Sequence, residues 1–229
     1  MLLPSVGASN IRMLTTSERK SCKQQLSTKI GCCLLIICAC FFGTTSWAQN
    51  NRALNYFVDN IGFEYHLPSK YIKSDSTEHY LPGRNSTGKY VMPISFFCQL
   101  ESIDKNILIA VSFINYNGWD EKKIRQLNPN FNVNNGYKGD IANQKDTSRV
   151  NYYSASMAKQ LYNADVAGYY DFFPENPYRN RYHSCQIVFL HKQDKGQIQL
   201  FYFYNSKKAL EKALKNTKDM IRFLDKKTS

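Results

Sequence analysis

Tyr182 to His191 (YHSCQIVFLH) and Gln197 to Tyr204 (QIQLFYFY), joined by Gln193-Asp194-Lys195-Gly196, decide the fold. Both runs are rich in β-branched and aromatic residues, and the polar connector ends in a glycine free to take a positive φ. The pair reads as an antiparallel hairpin with an apolar face that needs a cover. The next segment supplies one. Asn205 or Ser206 caps a long helix in which Leu210, Ala213, Leu214, Thr217, Met220, Ile221 and Leu224 recur at three- and four-residue spacing. Lys207, Lys212, Lys215, Lys218 and Arg222 occupy its other side, so the apolar stripe is expected to pack on the sheet.

The upstream chain supplies further strands. Ile61, Phe63, Tyr65 and Leu67 alternate before Pro68, which predicts a first strand over 61–67. Residues 73–89, holding Pro82-Gly83 and Ser86-Thr87-Gly88, are expected to form a loop, with a glycosylation sequon at Asn85-Ser86-Thr87. Tyr90–Leu100 and Asn106–Tyr116 read as a second hairpin, Pro93 marking a strand start or an edge. Asp120 caps a short helix with Ile124 and Leu127 as its apolar contacts, stopped at Pro129, and the Asn- and Gly-rich 128–146 reads as a surface excursion. A helix over 154–162, capped at Ser154, and a strand over 166–173 complete the order. Short turns between most strands predict an α+β domain, a mainly antiparallel sheet with helices packed against it in an α/β/α-like sandwich.

No linker or repeat divides residues 49–229, which read as one domain. Residues 1–48 read differently. A basic leader ends at Lys29, an uncharged apolar run spans Ile30–Gly43, and Ser46-Trp47-Ala48 precedes Gln49 with small residues where signal peptidase requires them. This predicts an exported protein cleaved between Ala48 and Gln49, periplasmic or extracellular. A membrane-anchored form is the alternative, since Thr44–Ala48 lengthens the apolar run toward the ~20 residues that span a bilayer. Five of the seven cysteines lie in the leader, leaving Cys98 and Cys185. In an oxidising compartment they either form a disulfide or remain two core thiols.

The chain carries a formal charge of +12, and residues 49–229 keep 25 basic and 17 acidic side chains, or +8. The charge favours anionic lipid or glycan surfaces, but it is scattered rather than blocked. No Arg-rich loop, zinc-finger spacing or RNA-binding signature points to nucleic acid. There is also no nucleophile elbow, phosphate loop, dinucleotide fingerprint or calcium loop, and no cofactor is expected. His66, His79, His183 and His191 lack the short spacing of a zinc site; Glu64 with His66, and His183 with His191, share strand faces, and the alternative of a secreted hydrolase would use His183, His191 or Glu64. No catalytic or metal-ligating residue is assigned. The aromatic-rich stretch Tyr169–Tyr182 mixes tyrosine with Arg179 and Arg181, the composition of interface hot spots. Within it, Tyr178, Arg179 and Arg181 are the expected surface for a protein partner.

The export segment ending Thr-Ser-Trp-Ala-Gln, followed by a Tyr-, Asn- and Lys-rich domain, resembles small exported proteins of Bacteroidetes bacteria. Asp75-Ser76-Thr77 is similar to the motif those bacteria O-glycosylate. The element order across Ile61–Leu224 resembles the PsbP/Mog1-like arrangement, whose members act as binding or assembly factors. The resemblance implies a non-catalytic binding or accessory protein that engages another envelope or secreted protein.

Overall fold

A computed structural model describes residues 53–225 apart from 75, 85–87, 89–90, 131 and 145–149. The expected signal segment with its Ala48–Gln49 junction, the Asn85 sequon and Asp75 lie outside the described residues. The domain is α+β, built on a seven-stranded, wholly antiparallel sheet ordered β2-β5-β6-β10-β9-β8-β7. Its strands are β2 (Tyr71–Ser74), β5 (Cys98–Ser102), β6 (Ile107–Asn115), β7 (Asn151–Tyr152), β8 (Val166–Phe172), β9 (Ser184–Lys192) and β10 (Gly196–Tyr204). Two short ribbons flank it, β1 (Phe63–Tyr65) with β11 (Ile221–Phe223) and β3 (Glu78–Tyr80) with β4 (Ile94–Phe96). Among the described residues, no helix is long and apolar enough to cross a membrane.

The β9–β10 hairpin forms as its sequence predicts, and β10 is the central strand, buried along all nine residues. Its turn is built differently from expectation. Asp194 takes the left-handed conformation (φ 58°), while Gly196 already belongs to β10. Glycine is required there for closeness, because a Cβ would sit 2.5 Å from the Ile114 carbonyl oxygen on β6.

Strand alternation divides the core in two. Ile198, Leu200, Tyr202 and Tyr204 of β10, with Val188 and Leu190 of β9, face one cluster. It is covered by α4 (Ala155–Tyr162), α5 (Lys207–Asn216), the β1–β11 ribbon and Leu54 from helix α1 over residues 53–57. Phe201 and Phe203, with Cys185, Ile187 and Phe189, face the other. That face is covered by the β3–β4 ribbon, the 178–182 segment and α3 (Gly136–Gln144). Between β6 and α3 lie α2 (Glu121–Leu127) and a 3-10 turn, Val133–Asn135.

Several elements depart from the sequence reading. The last helix is not long. It stops at Asn216, where the Thr217 hydroxyl donates back to the Ala213 carbonyl, and Ile221–Phe223 instead pairs with Phe63–Tyr65 as β11. The first strand shrinks to those three residues, preceded by a π-helical turn, Val58–Gly62. The 128–146 stretch contains α3, whose Tyr137 and Ile141 enter the second cluster. Within the expected 73–89 loop, β3 forms where Glu78, His79 and Tyr80 pair with β4, and the 90–100 strand breaks at Phe97 into β4 and β5. Helix α2 has the expected Asp120 cap, accepting from the Lys123 amide, but buries none of its residues, and Leu127 is exposed.

Candidate functional site

The second sheet face changes character along its length. Over most of it the inward residues are Phe201, Phe203, Ile187, Phe189, Leu108 and Ala110. At the end nearest the β9–β10 turn the same alternation brings inward Gln197 and Gln199 of β10, His191 of β9 and Ser112 of β6. All four are buried and cross-strand neighbours: Gln197 pairs with Ile114 and His191, Gln199 with Ser112 and Phe189. Helix α3 closes this patch. Tyr137 and Ile141 point into the core, while Gly136, Gly139 and Asp140 line a cleft of about 580 Å³. Ile114, Tyr116, Trp119, Gln197 and four asparagines (128, 130, 132 and 135) complete its lining. A smaller cleft of about 270 Å³, lined in part by Ser112 and Gln199, shares Ile114 and Asp140 with it.

The walls are held by specific contacts. Asn134 and Asp194 exchange two hydrogen bonds of 2.9 Å, tying the 3-10 turn to the β9–β10 turn. The Val133 amide donates to Glu121 Oε1 at 3.2 Å, anchoring α2 to the same turn. The Asn132 side chain accepts from the Asn134 amide. Tyr116 Oη lies 3.1 Å from His191 Nδ1, and the Tyr137 ring stands 4.8 Å from the imidazole. Trp119, 44% exposed, meets Tyr116 edge-to-face at 6.2 Å.

Charge and polarity are unbalanced in this patch. Burial under α3 pushes the Asp140 carboxyl up to about 6, opposed by the neighbouring Gln197 amide. Burial also pushes the His191 imidazole down to about 4, against the weaker pull of Asp165 and Asp194. Apart from that approach of Gln197 to Asp140, both polar atoms of the Gln197 amide and Nε2 of Gln199 are buried with no hydrogen-bond partner among the described residues, as are the hydroxyl of Tyr80 and, apart from its approach to Glu78, that of Tyr178 on the same sheet face. Each such group costs about 1–3 kcal/mol. A native fold keeps few of them, and each calls for an explanation.

Of the residues picked out from the sequence, His191 lies in this patch, and the expected partner surface lies elsewhere. Tyr178 is not a surface residue: 3% exposed, it stacks on Phe203 at 4.1 Å and meets Tyr80 edge-on at 4.9 Å. Arg179 and Asn180, both at positive φ, make the tight turn that returns the chain so that Tyr178 bridges Tyr182. Arg179 is committed to Glu78 at 2.7 Å and to the buried Gln99 amide oxygen. Arg181 pairs with Glu101 at 3.0 Å, which also accepts from the Tyr182 hydroxyl. Burial raises the Glu78 pKa, yet hydrogen bonds from Arg179, Tyr178 and Gln99 and the Arg179 charge hold it below the usual carboxylate range. The tyrosine–arginine composition serves internal packing and ion pairing here.

Cys98 and Cys185 are both buried and are not joined to each other. They face opposite clusters, and the sheet order places two strands between β5 and β9. Three strand spacings put them ~14 Å apart, twice the reach of a disulfide. His183 and His191 sit at opposite ends of β9, His183 exposed and His191 buried, and Glu64 and His66 form a solvated pair at 3.9 Å. Among the described residues no three His, Cys, Asp or Glu side chains converge as metal ligands. Of the aromatic residues that define the cleft, neither Trp119 nor Tyr116 was singled out by the sequence reading, and Asp140 fell in the presumed surface excursion.

The fold and cleft thus define an antiparallel α+β domain with a polar, aromatic-edged cleft on one sheet face. Comparison of the chain with family models, characterised proteins and solved structures finds no match.

Proposed function

We propose that this is an exported, non-catalytic binding protein whose recognition site is the cleft between α3 and the β6–β10 end of the sheet. The observation that carries the reading is the Gln197 amide and Gln199 Nε2, buried without a partner beyond the approach of Gln197 to Asp140, at the polar end of a mostly apolar sheet face. A core position that costs stability for no internal contact is where a fold gives up local consistency for function. The described lining supplies amides, an aromatic edge and a single carboxyl, Asp140, and no basic side chain. One carboxyl without a partner acid, base or nucleophile supports holding a ligand over transforming it. Its volume lies within the ~300–1,000 Å³ typical of small-molecule sites. The ligand is therefore a small polar molecule that is neutral or cationic.

Thermal unfolding of the full chain in the presence of a panel of small polar metabolites tests this. A compound that binds only the folded state adds about 2.7 kcal/mol at a hundred times its Kd. The double variant Gln197→Leu/Gln199→Leu is expected to be more stable than the wild type yet to lose that ligand-induced shift. If every compound that shifts the wild type shifts the variant equally, the cleft is not the site.

A further inference from the structure

We infer that the ligand class is a neutral sugar, its ring seated against Trp119 and its hydroxyls engaging Asp140 and the amides of the cleft; this rests on the cleft being the recognition site. Three features of the site select that chemistry. First, donors and acceptors are mixed within one small patch. The Gln197 amide presents an N–H₂ and a carbonyl oxygen with no partner beyond its approach to Asp140, Gln199 an N–H₂, and Asp140 offers only acceptor oxygens while ionised. A hydroxyl both donates and accepts, so adjacent sugar hydroxyls match this arrangement. A carboxylate or phosphate ligand would accept only and would meet the Asp140 charge.

Second, the described lining offers an anion no counter-charge. The protein carries a formal charge of +12, yet no lysine or arginine is among the described residues of either cleft. Charge complementarity to an anionic ligand is therefore missing where it would be easiest to supply. Third, Trp119 is half-exposed at the cleft edge and is set by Tyr116, both through their edge-to-face contact and through its backbone amide donating to the Tyr116 carbonyl at 3.3 Å. An aromatic face fixed beside polar groups offers the apolar C–H side of a sugar ring a platform and its hydroxyls their partners.

Helix α3 leaves room for the ring. Gly136 and Gly139 put no side chain into the cleft, and a Cβ built at Gly139 meets nothing within 4 Å. This supplies a blocking variant, Gly139→Phe, that fills the cleft from an open position without touching the core.

The chain contains two tryptophans, so Trp47→Phe makes Trp119 the sole tryptophan. Emission of the full-length Trp47→Phe protein is titrated with glucose, galactose, mannose and N-acetylglucosamine, each to tens of millimolar, and with putrescine as a cationic comparison. A saturable emission change is expected with at least one sugar, weakened at least tenfold by Gly139→Phe and by Asp140→Asn at neutral pH. Circular dichroism of both variants checks that they fold. The inference is overturned if no sugar gives a saturable change, or if Gly139→Phe folds and binds with unaltered affinity. A response to putrescine alone removes the sugar while leaving the cleft as a binding site. Silence to both, together with a flat thermal-shift panel, removes both readings.

Discussion

Asp140 and His191 titrate in opposite senses beneath one helix, and separating them gives a quantitative test of the cleft's burial. Asp140 has a folded pKa of about 6 against an ordinary 3.8. Above about pH 6 it is ionised in both states, and the folded protein carries the cost of a buried charge. As pH falls from about 6 to 3.8 the folded protein takes up a proton that the unfolded chain does not, so Asp140 makes acidification stabilising. At ~1.4 kcal/mol per tenfold change in proton affinity, that gap is worth about 3 kcal/mol. His191 runs the other way. Its folded pKa of about 4 lies below an ordinary 6.5, so between 6.5 and about 4 the unfolded chain binds the proton that the folded site refuses. Acidification through that window destabilises by about 3 kcal/mol. In the wild type the two contributions nearly cancel between pH 4 and 6. Urea unfolding of wild type, Asp140→Asn and His191→Gln across about pH 4 to 7 separates them. Taken as differences from wild type, other carboxylates drop out. Asp140→Asn is expected to gain stability at pH 7 and lose about 3 kcal/mol more than wild type on acidification; His191→Gln is expected to gain about as much relative to wild type. Parallel curves for wild type and Asp140→Asn would show that α3 does not bury the carboxyl, and the cleft geometry would fall with it.

Other predictions concern the scaffold. Gly168→Ala places a Cβ 2.5 Å from the Asn151 carbonyl oxygen and 2.8 Å from the Phe189 ring, so it is expected to cost about 1–3 kcal/mol in urea unfolding and to expose the edge strand β7 to proteolysis. Arg179→Ala removes the partner of Glu78 and leaves the buried Gln99 amide oxygen without its donor; a loss of about 1–3 kcal/mol is expected, with sugar titrations of the cleft unchanged. Peptide mapping under non-reducing conditions is expected to find no Cys98–Cys185 linkage even in protein recovered from an oxidising compartment; a linked peptide from native protein would contradict the strand order.

The β9–β10 hairpin was legible because residues 184–204 carry bulky apolar side chains in both alternating sets, which only a strand buried on two faces uses. The helix caps at Asp120, Ser154 and Ser206 were legible for a local reason: each side-chain oxygen meets an amide three residues on. Where two periods fit the same residues, local pattern failed. Met220, Ile221 and Leu224 continue a helical stripe, while Ile221 and Phe223 alternate as a strand. The tie is broken by Phe63–Tyr65, a partner some 160 residues away that no local window contains. Tyr178 was misread because tyrosine beside arginine marks an interface only when the ring is exposed, and its enclosure by Tyr80, Phe96 and Phe203 depends on three distant segments. The cleft was hidden for the opposite reason. Gln197 and Gln199 alternating with Ile198 and Leu200 look like an ordinary half-exposed strand, and only α3, in a stretch whose glycines and asparagines read as loop, makes them buried.

That concealment bears on function. Elsewhere in the domain many charged and polar groups that approach the core are matched, Arg179 with Glu78 and Gln99, Arg181 with Glu101, Asn163 with the Phe223 carbonyl and Asp225, Thr217 with Tyr202, while the buried hydroxyl of Tyr80 is not and that of Tyr178 only approaches Glu78. Three of the five buried side-chain atoms without a partner among the described residues lie between α3 and one end of β10, where the Gln197 and Gln199 amides adjoin a carboxyl held toward neutrality and an imidazole kept from charging. An apolar pair at 197 and 199 would remove the amide costs without altering the sheet. The position of these amides beside a cleft edged by Trp119 puts hydrogen-bonding capacity that the fold leaves largely unused where a ligand arriving through that cleft would meet it.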